Sequence, residues 1–190
     1  MANRYFVNGG VDALWGTIGN WSLTDGGAGG EAVPLATDDV FFTANSPNVS
    51  VNSTGRVAKT LNFTGYASTI TMSNTIRVSG SITLVAAMTI ANPSGLLVDA
   101  TATLTSNGKT WPNDFTFVNA VTFTLADNWD IDGSLILSTG DKTINGNTIN
   151  IGGGLTHSSG RCTGTTNLIM DGTGTWSSTA GLGFTLKNNL

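Results

Sequence analysis

From Val49 to the last residue, apolar side chains recur as pairs separated by a single residue, usually a polar one, with Gly, Asn, Ser or Thr between the pairs. The pairs are Val49/Val51, Leu61/Phe63, Ile70/Met72, Ile76/Val78, Ile82/Leu84, Met88/Ile90, Leu96/Val98, Ala102/Leu104, Phe115/Phe117, Val121/Phe123, Leu135/Leu137, Ile149/Ile151, Leu168/Met170 and Phe184/Leu186. A period of two places both members of a pair on one face of a strand and turns the residue between them to the other face. The pattern therefore predicts a long series of short strands.

The spacing of the pairs indicates how these strands are arranged. Four pairs begin six residues apart, at Ile70, Ile76, Ile82 and Met88, and such short strands suit the rungs of a β-solenoid better than a broad sandwich. Recurring apolar positions lie 18 to 21 residues apart, as in Leu61 to Ile82, Ile82 to Ala102, Ala102 to Val121, Phe115 to Leu135 and Leu168 to Leu186. A coil of about 20 residues with three strands predicts a triangular, right-handed parallel β-helix.

Two segments of the chain differ in composition and in residue pattern, and they define the predicted domains. Residues 1–45 hold six of the fifteen aromatic residues and the glycine-rich run Asp25–Gly30, whereas the rung pattern occupies residues 46–190. A solenoid exposes the apolar end of its first rung unless another segment covers it. We therefore expect residues 1–45 to form an N-terminal cap and attachment module, followed by the solenoid body.

Glycine and threonine have expected places in this scheme. The corners between strands are expected at Gly80, Gly95, Gly133, Gly146, Gly152 and Gly172, where a positive φ is often required. The outward strand positions are expected to include Thr71, Thr83, Thr103, Thr116 and Thr122. Threonine suits these positions because its β-branched side chain fits an exposed pleated surface.

Composition supports an all-β fold and excludes several classes of protein. Thr, Asn and Ser supply 30, 19 and 16 residues, while there is one Glu and no Gln, so the straight-chain helix formers are scarce. Charged residues make up 11% of the chain and the net charge is −4, which argues against nucleic-acid binding. A lone cysteine, Cys162, permits no intrachain disulfide.

The chain also lacks the apolar runs that target a protein to a membrane. No run approaches the roughly 20 apolar residues that a membrane-spanning helix requires, so no membrane insertion is expected. The first residues, Met1–Val7, show no charged region followed by an apolar stretch, which is the pattern of a secretory signal. This favours a protein that stays in the cytoplasm where it is made or is released by lysis.

The N-terminal module has an ordered set of short motifs. They are an aromatic-Val pair before Gly-Gly (Tyr5–Gly10), Trp15, Gly-Asn-Trp-Ser (Gly19–Ser22), a glycine run (Gly26–Gly30), Val33–Pro34 and Asp-Asp-Val-Phe-Phe (Asp38–Phe42). Over about 40 residues this order resembles the segment that opens many tailed-phage virion proteins, especially tail fibres. A similar Asn-Trp, Pro and Asp-Asp-Val arrangement opens the solenoid passenger regions of bacterial surface adhesins.

The phage resemblance implies a structural role in the virion. It implies a tail-fibre or tail-spike component, assembled in the host cytoplasm, with other virion proteins as partners, a homo-oligomer that is a trimer, and a host-surface glycan as a further candidate partner. Partner-binding residues are expected among Tyr5, Phe6, Trp15, Trp21, Phe41 and Phe42, with the alternative that these aromatics only plug the solenoid. A capsid decoration protein and a bacterial adhesin passenger are the alternative functions.

Two acidic segments are candidates for cation binding. Asp38 and Asp39 could hold a cation, but adjacent residues of an extended segment point to opposite faces, so we expect a turn-closing role instead. The segment Asp127–Asp132 is oxygen-rich, yet it lacks the glycine and the distal glutamate of an EF-hand loop. A solvated corner is expected there, with no bound metal.

The remaining reactive side chains do not form a catalytic pattern in the sequence. His157 and Cys162 match no nucleophile signature, and we expect a surface histidine and a half-buried cysteine. Trp111, Trp129 and Trp176 could stack on sugars, although inward packing is the expected alternative. No pair of carboxylates for glycoside hydrolysis is evident, nor a cluster of Asp, Lys or Arg on one face as in a β-helical lyase. No enzyme activity and no cofactor are expected.

Overall fold

The computed structural model shows an all-β chain wound into a parallel β-solenoid of about seven turns. It describes residues 1–10, 12–92 and 94–178, and the backbone alone of residues 186–188. One short 3-10 helix, Ile18–Asn20, lies among the strands, and within the described ranges no helix is long and apolar enough to span a membrane.

The strands are short throughout, as the paired pattern predicts. They are β1 (Asn3–Phe6), β2 (Trp21–Ser22), β3 (Asp39–Phe41), β4 (Val49–Val51), β5 (Arg56–Ala58), β6 (Thr60–Asn62), β7 (Thr69–Met72), β8 (Ile76–Val78), β9 (Ile82–Thr83), β10 (Thr89–Ala91), β11 (Leu96–Val98), β12 (Ala102–Thr105), β13 (Phe115–Phe117), β14 (Val121–Leu125), β15 (Trp129–Ile131), β16 (Leu135–Leu137), β17 (Lys142–Gly146), β18 (Ile149–Ile151), β19 (Leu155–His157), β20 (Cys162–Gly164), β21 (Leu168–Met170), β22 (Trp176–Ser178) and β23 (Leu186–Asn188).

These strands form three faces around a narrow interior. Face one has the strand order β2-β1-β3-β6-β9-β12-β14-β17-β20. Face two consists of two sheets, β4-β7-β10 and β15-β18-β21-β23, and face three has the order β5-β8-β11-β13-β16-β19-β22. Every coil-to-coil pairing is parallel, and β1 with β2 is the one antiparallel pair among the described strands.

The six-residue spacing seen in the sequence reflects the three faces. Ile70 lies in β7 on face two, Ile76 in β8 on face three and Ile82 in β9 on face one, while Met88 precedes β10 on face two again. Each of these four side chains is buried. Consecutive apolar pairs therefore lie on consecutive sides of one coil, and one full turn returns the chain to the same face.

The register of face one differs from the intervals predicted in the sequence. Ile82 pairs with Leu104 rather than with Ala102, and Ala102 pairs with Phe123 rather than with Val121, so these coils are two residues longer than expected. All five side chains point inward and are buried. Because a shift of two residues keeps every side chain on the same face, the apolar pattern cannot distinguish the two registers.

The interior is a continuous stack of apolar side chains from coil to coil. Both members of nearly every predicted pair are buried; Ile90 and Met170 are partly buried, while Phe184 and the side chain of Leu186 lie outside the described residues. Each fully buried aliphatic or aromatic side chain contributes about 1.5–3 kcal/mol relative to exposure to water. This stack stabilises the fold without disulfides.

Most of the predicted corner glycines are required by close packing between coils more than by backbone conformation. Of the six predicted corners, only Gly146 has a positive φ, at 100°, so this expectation is wrong for Gly80, Gly95, Gly133, Gly152 and Gly172. A Cβ on Gly133 would lie 2.3 Å from the carbonyl carbon of Asn113 in the preceding coil. A Cβ on Gly153 would likewise lie 2.5 Å from that of Gly133, so successive coils touch backbone to backbone at this corner.

Face two is interrupted where the coil between β12 and β13 lacks a strand on it. Asn107 and Gly108 have φ values of 49° and 73°, and they turn the chain outward before Trp111. Trp111 then forms a single parallel bridge to Ile131 of β15. The irregular segment leaves an open cleft beside β15.

The N-terminal module is joined to the first coils through both backbone and core. Strand β1 pairs with β2 on one side and with β3 on the other, and β3 continues into β6 of the body. The rings of Phe42 and Phe63 stack with their centroids 4.9 Å apart, across the predicted boundary at residue 45. The module therefore covers the first rung and shares one hydrophobic core with the body.

Candidate functional site

The six aromatic residues of the N-terminal module separate into an inner and an outer set. The inner set, Phe6, Trp15, Trp21 and Phe42, is 0% exposed, and the outer set, Tyr5 and Phe41, is partly exposed. The four inner rings contact the chain's own core in the folded state. Only the outer pair lies where a partner can touch it.

The inner set forms a compact cluster at the end of the solenoid. Trp15 and Trp21 meet edge to face with centroids 5.0 Å apart, and Phe6 meets Trp21 in the same manner at 5.3 Å. The indole N–H of Trp21 donates a hydrogen bond of 2.6 Å to the backbone carbonyl of Trp15. Edge-to-face geometry places the positive rim of one ring on the negative face of the next, which adds to the burial of these large side chains.

The outer set forms a small apolar surface, the Tyr5–Phe41 patch. Tyr5 of β1 and Phe41 of β3 are Cα partners, and their rings stack at 4.9 Å with an angle of 18° between the planes. The same outward file continues through Asn62 and Thr83 on β6 and β9. The patch therefore lies at the N-terminal end of face one, next to a polar sheet surface.

Asp38 closes a turn in the module. Its carboxylate accepts hydrogen bonds from the backbone N–H groups of Ala2 at 2.9 Å and Leu35 at 3.2 Å, and it lies 3.5 Å from Nε of Arg4. Burial alone raises the pKa of Asp38, but these hydrogen bonds and the Arg4 charge together lower it below its ordinary value. Asp39 is partly exposed and lies in β3 itself, so the two carboxylates do not form a shared site.

The acidic segment Asp127–Asp132, which includes β15, also has structural partners. Asp127 accepts hydrogen bonds of 2.7 Å from the backbone N–H groups of Ser106 and Asn107 in the preceding coil. Asp130 accepts a hydrogen bond from a threonine hydroxyl of that coil, and Asp132 is exposed. Across the described part of the chain, no group of three His, Cys, Asp or Glu side chains converges as a metal site.

His157 and Cys162 are both inside the solenoid, which corrects the expectation of a surface histidine and a half-buried cysteine. His157 is 1% exposed at the inward position two residues after Leu155, and its Nδ1 lies 3.1 Å from the hydroxyl of Ser178. Cys162 is 0% exposed in β20, and burial raises the pKa of its thiol to about 12. A buried protonated thiol is a poor nucleophile.

Lys142 is an interior residue that the sequence analysis did not identify. It is 0% exposed in β17, and its ammonium group donates hydrogen bonds to the backbone carbonyls of Thr139 at 2.6 Å and Gly140 at 2.7 Å. Burial lowers the pKa of Lys142. The signal was available, because Lys142 stands two residues before Ile144 and so belongs to the inward register of that strand.

The three tryptophans of the body have different environments. Trp111 and Trp129 are 2% and 1% exposed and point inward, as the packing alternative predicts, whereas Trp176 on β22 is 51% exposed. The cleft beside β15 has a volume of about 140 Å³ and is lined by polar groups that include Lys109 and Asp130. No aromatic face is exposed in that cleft, since its one aromatic lining residue is the buried Trp129.

Comparison of this chain with protein-family models, with curated proteins and with solved structures finds no match. A function is therefore argued from the fold, the side-chain geometry and the motifs of the N-terminal module. The phage resemblance of the N-terminal module receives no support from these comparisons and stays a proposal.

Proposed function

We propose that this chain is a structural component of a tailed-phage virion, a tail-fibre or tail-spike part that attaches through its N-terminal module and presents a rigid β-solenoid. The role is mechanical and not enzymatic. Its proposed partners are other virion proteins and two further copies of the same chain, with a host-surface glycan as the target of the exposed body.

One observation carries this proposal: the module and the body share an unbroken backbone ladder. Face one runs from β2 through β20 without a missing strand, and from β1 onward every pairing is parallel, so a force on the module passes into consecutive coils through the hydrogen bonds of this ladder. The aromatic cluster fixes the module on the first rung. A stiff rod with one end joined to an attachment segment suits an appendage that must hold a receptor-facing surface away from a particle.

The Tyr5–Phe41 patch is the proposed contact with the particle. Its two rings are stacked, partly exposed and held on adjacent strands, so little side-chain entropy is lost when a partner covers them. Tyrosine adds a hydroxyl at the edge of an otherwise apolar contact, which suits an interface. The buried inner rings support the patch from below.

Immunogold electron microscopy tests the location. Antibodies against the purified chain are applied to virions and to the bacterial cells that produce the chain. Label on phage tails is expected. Label over the whole capsid would indicate a decoration protein, and label on the surface of uninfected cells would indicate an adhesin passenger; either result overturns the tail assignment.

A matched pair of variants tests the patch. Tyr5→Ser combined with Phe41→Ser removes both outer rings, while Leu97→Ser removes a half-buried outward side chain from face three. We expect the double variant to be lost from purified particles several-fold and Leu97→Ser to be incorporated like the native chain. Equal incorporation of both variants would assign attachment to another surface.

Sedimentation equilibrium tests the proposed trimer. The native chain should give three times the 19.5 kDa monomer mass.

A further inference from the structure

The outer surface of face one has a regular threonine array. Its members occupy outward positions on consecutive strands from β6 to β20, and they are Thr60, Thr83, Thr103, Thr105, Thr122, Thr124, Thr143 and Thr163. The register aligns them in files: Thr83 with Thr105, Thr103 with Thr124, and Thr122 with Thr143 and then Thr163. Asn62 and Asn145 occupy the other outward positions of these strands, so the threonine array is a two-dimensional lattice in which threonine predominates.

The repeat of this lattice is set by the backbone. Neighbouring strands lie about 4.8 Å apart, and alternate residues along a strand lie about 6.6 Å apart. Threonine is β-branched, so its χ1 is restricted and each hydroxyl and methyl group keeps a nearly fixed direction. The array therefore presents ordered hydroxyl and methyl groups on a stiff ladder.

Most hydroxyls of the array are available to water. Thr60 donates to Asp39, and Thr143 and Thr163 share a hydrogen bond of 3.3 Å. Within the residues that the structure describes, the other hydroxyls of the array form no hydrogen bond with protein groups; these are the hydroxyls of Thr83, Thr103, Thr105, Thr122 and Thr124. Their hydrogen bonds must be completed by molecules outside the chain.

The charge pattern narrows the class of molecule that fits. The outward positions of β6, β9, β12, β14, β17 and β20 hold Thr and Asn and no charged residue, and the lysine of β17, Lys142, points inward. A nucleic acid or an anionic membrane needs a basic surface, which this face lacks. Stacking on a sugar needs an exposed aromatic ring, and the array offers none. Outward positions without charge, with five of the eight described threonine hydroxyls unpaired, complement an uncharged, hydrogen-bonding lattice.

From this geometry we infer that the threonine array binds ice. Water molecules bound to its hydroxyl groups are spaced by the distance between neighbouring strands in one direction and by the distance between alternate residues in the other. Both distances are comparable to the spacings between water molecules in hexagonal ice. The threonine methyl groups lie between the bound water molecules. The adsorbed face of an ice crystal then stops growing where the solenoid covers it. This activity is independent of the proposed virion role and belongs to face one alone.

Ice-affinity partitioning tests the inference. An ice hemisphere is grown slowly in a solution of the native chain. The concentration of the chain is then measured in the ice and in the remaining liquid. The disrupting variant is Thr103→Lys with Thr124→Lys, which places two long charged side chains in one file. The control is Thr116→Lys, an outward strand centre on face three. Far-UV circular dichroism verifies that each variant is folded.

We expect the native chain and Thr116→Lys to be enriched in the ice. For the double variant, the ratio of the concentration in ice to that in the liquid should be several-fold lower. If the double variant does not fold, Thr122→Lys, an exposed residue in the neighbouring file, replaces it with the same expected loss. Exclusion of the native chain from ice overturns the inference. An equal loss of enrichment in ice for the double variant and for Thr116→Lys also overturns it. The same holds if the native chain binds crystalline cellulose and is not enriched in ice.

Discussion

Trp15 and Trp21 meet in the N-terminal core, but only one of their two indole N–H groups has an acceptor. Nε1 of Trp21 donates to the carbonyl of Trp15, whereas Nε1 of Trp15 is buried without a hydrogen-bond partner in the described structure. A buried donor without an acceptor costs free energy, while a satisfied one stabilises the fold modestly. Two residues of one type in one cluster therefore differ in energetic role.

This difference predicts unequal effects of the same substitution. Trp21→Phe removes the 2.6 Å hydrogen bond and leaves a buried carbonyl without its donor, whereas Trp15→Phe removes an unsatisfied donor. We expect Trp21→Phe to lower the free energy of unfolding by about 1 kcal/mol more than Trp15→Phe does. Urea unfolding of both variants, fitted with a common m-value, measures this difference in the free energy of unfolding. A larger loss in Trp15→Phe would contradict the assignment.

The buried thiol of Cys162 predicts a weakness at alkaline pH. Its pKa rises from an ordinary 9.0 to about 12 in the folded chain, so the folded state keeps a proton that the unfolded state releases. Stability from this group is complete below pH 9 and is lost progressively as the pH rises from 9 to 12. Lys142, whose pKa is lowered, acts in the opposite direction.

Cys162→Ala removes the thiol and keeps Lys142, whose own pKa is lowered by burial and raised in part by the charge of Cys162. The variant should be less stable than the native chain at pH 8, since a small cavity replaces the sulfur. Between pH 9 and 10 the native chain should lose stability while the variant changes much less. Guanidinium unfolding at several pH values gives, for each protein, the slope of the free energy of unfolding against pH. Parallel slopes would show that the thiol titrates normally and is exposed.

At the scale of the structural element, the coil corners depend on backbone contact between successive turns. Gly133 and Gly95 both follow the same predicted corner pattern and both have ordinary φ values. A Cβ on Gly133 meets backbone atoms at 2.3 Å, whereas the nearest atom to a Cβ on Gly95 is a carbonyl oxygen at 3.7 Å. The difference arises from stacking and not from backbone conformation.

Alanine at these two corners should therefore have different consequences. Gly133→Ala forces two coils apart and should destabilise the chain by about 2 kcal/mol or more, a typical cost of overpacking. Gly95→Ala should be tolerated within about 0.5 kcal/mol, or should stabilise slightly through the unfolded state. Thermal unfolding of the two variants compares them directly. Similar melting temperatures would indicate that the coils separate easily at this corner.

At the scale of the whole molecule, the module and the body are predicted to unfold together. Phe42 of the module contacts Phe63 and Tyr66 of the body, and β3 pairs with β6 across the same boundary. A shared core and a shared ladder couple neighbouring units of a solenoid. Loss of the module exposes the rings of the first rung to water.

Tryptophan fluorescence can follow the two parts separately. Replacing Trp111 and Trp129 by Phe leaves the module tryptophans as the buried reporters, and replacing Trp15 and Trp21 leaves those of the body. Each variant changes stability, so the comparison within one variant is between fluorescence and far-UV circular dichroism. Coincident midpoints in both variants are expected. An earlier fluorescence transition in the module reporter alone would show that the module unfolds independently.

The alternation of apolar and polar residues by itself determined the inward faces of the strands, because a period of two admits only one buried side. Ile70, Ile76 and Ile82 could be assigned to the interior in this way, and the near 20-residue recurrence indicated a coil of three strands. The small, uncharged outward residues also followed from the pattern. These features depend on local backbone geometry, which the sequence encodes directly.

Tertiary structure alone decided the register and the environment of the polar residues. The pairing of Ile82 with Leu104 differs from the predicted interval by two residues, a shift that leaves each side chain on its face and therefore leaves no trace in the pattern. The outward threonines likewise form files only when coils stack. Contacts between residues about 20 positions apart set these features, and no local sequence signal records which residues meet.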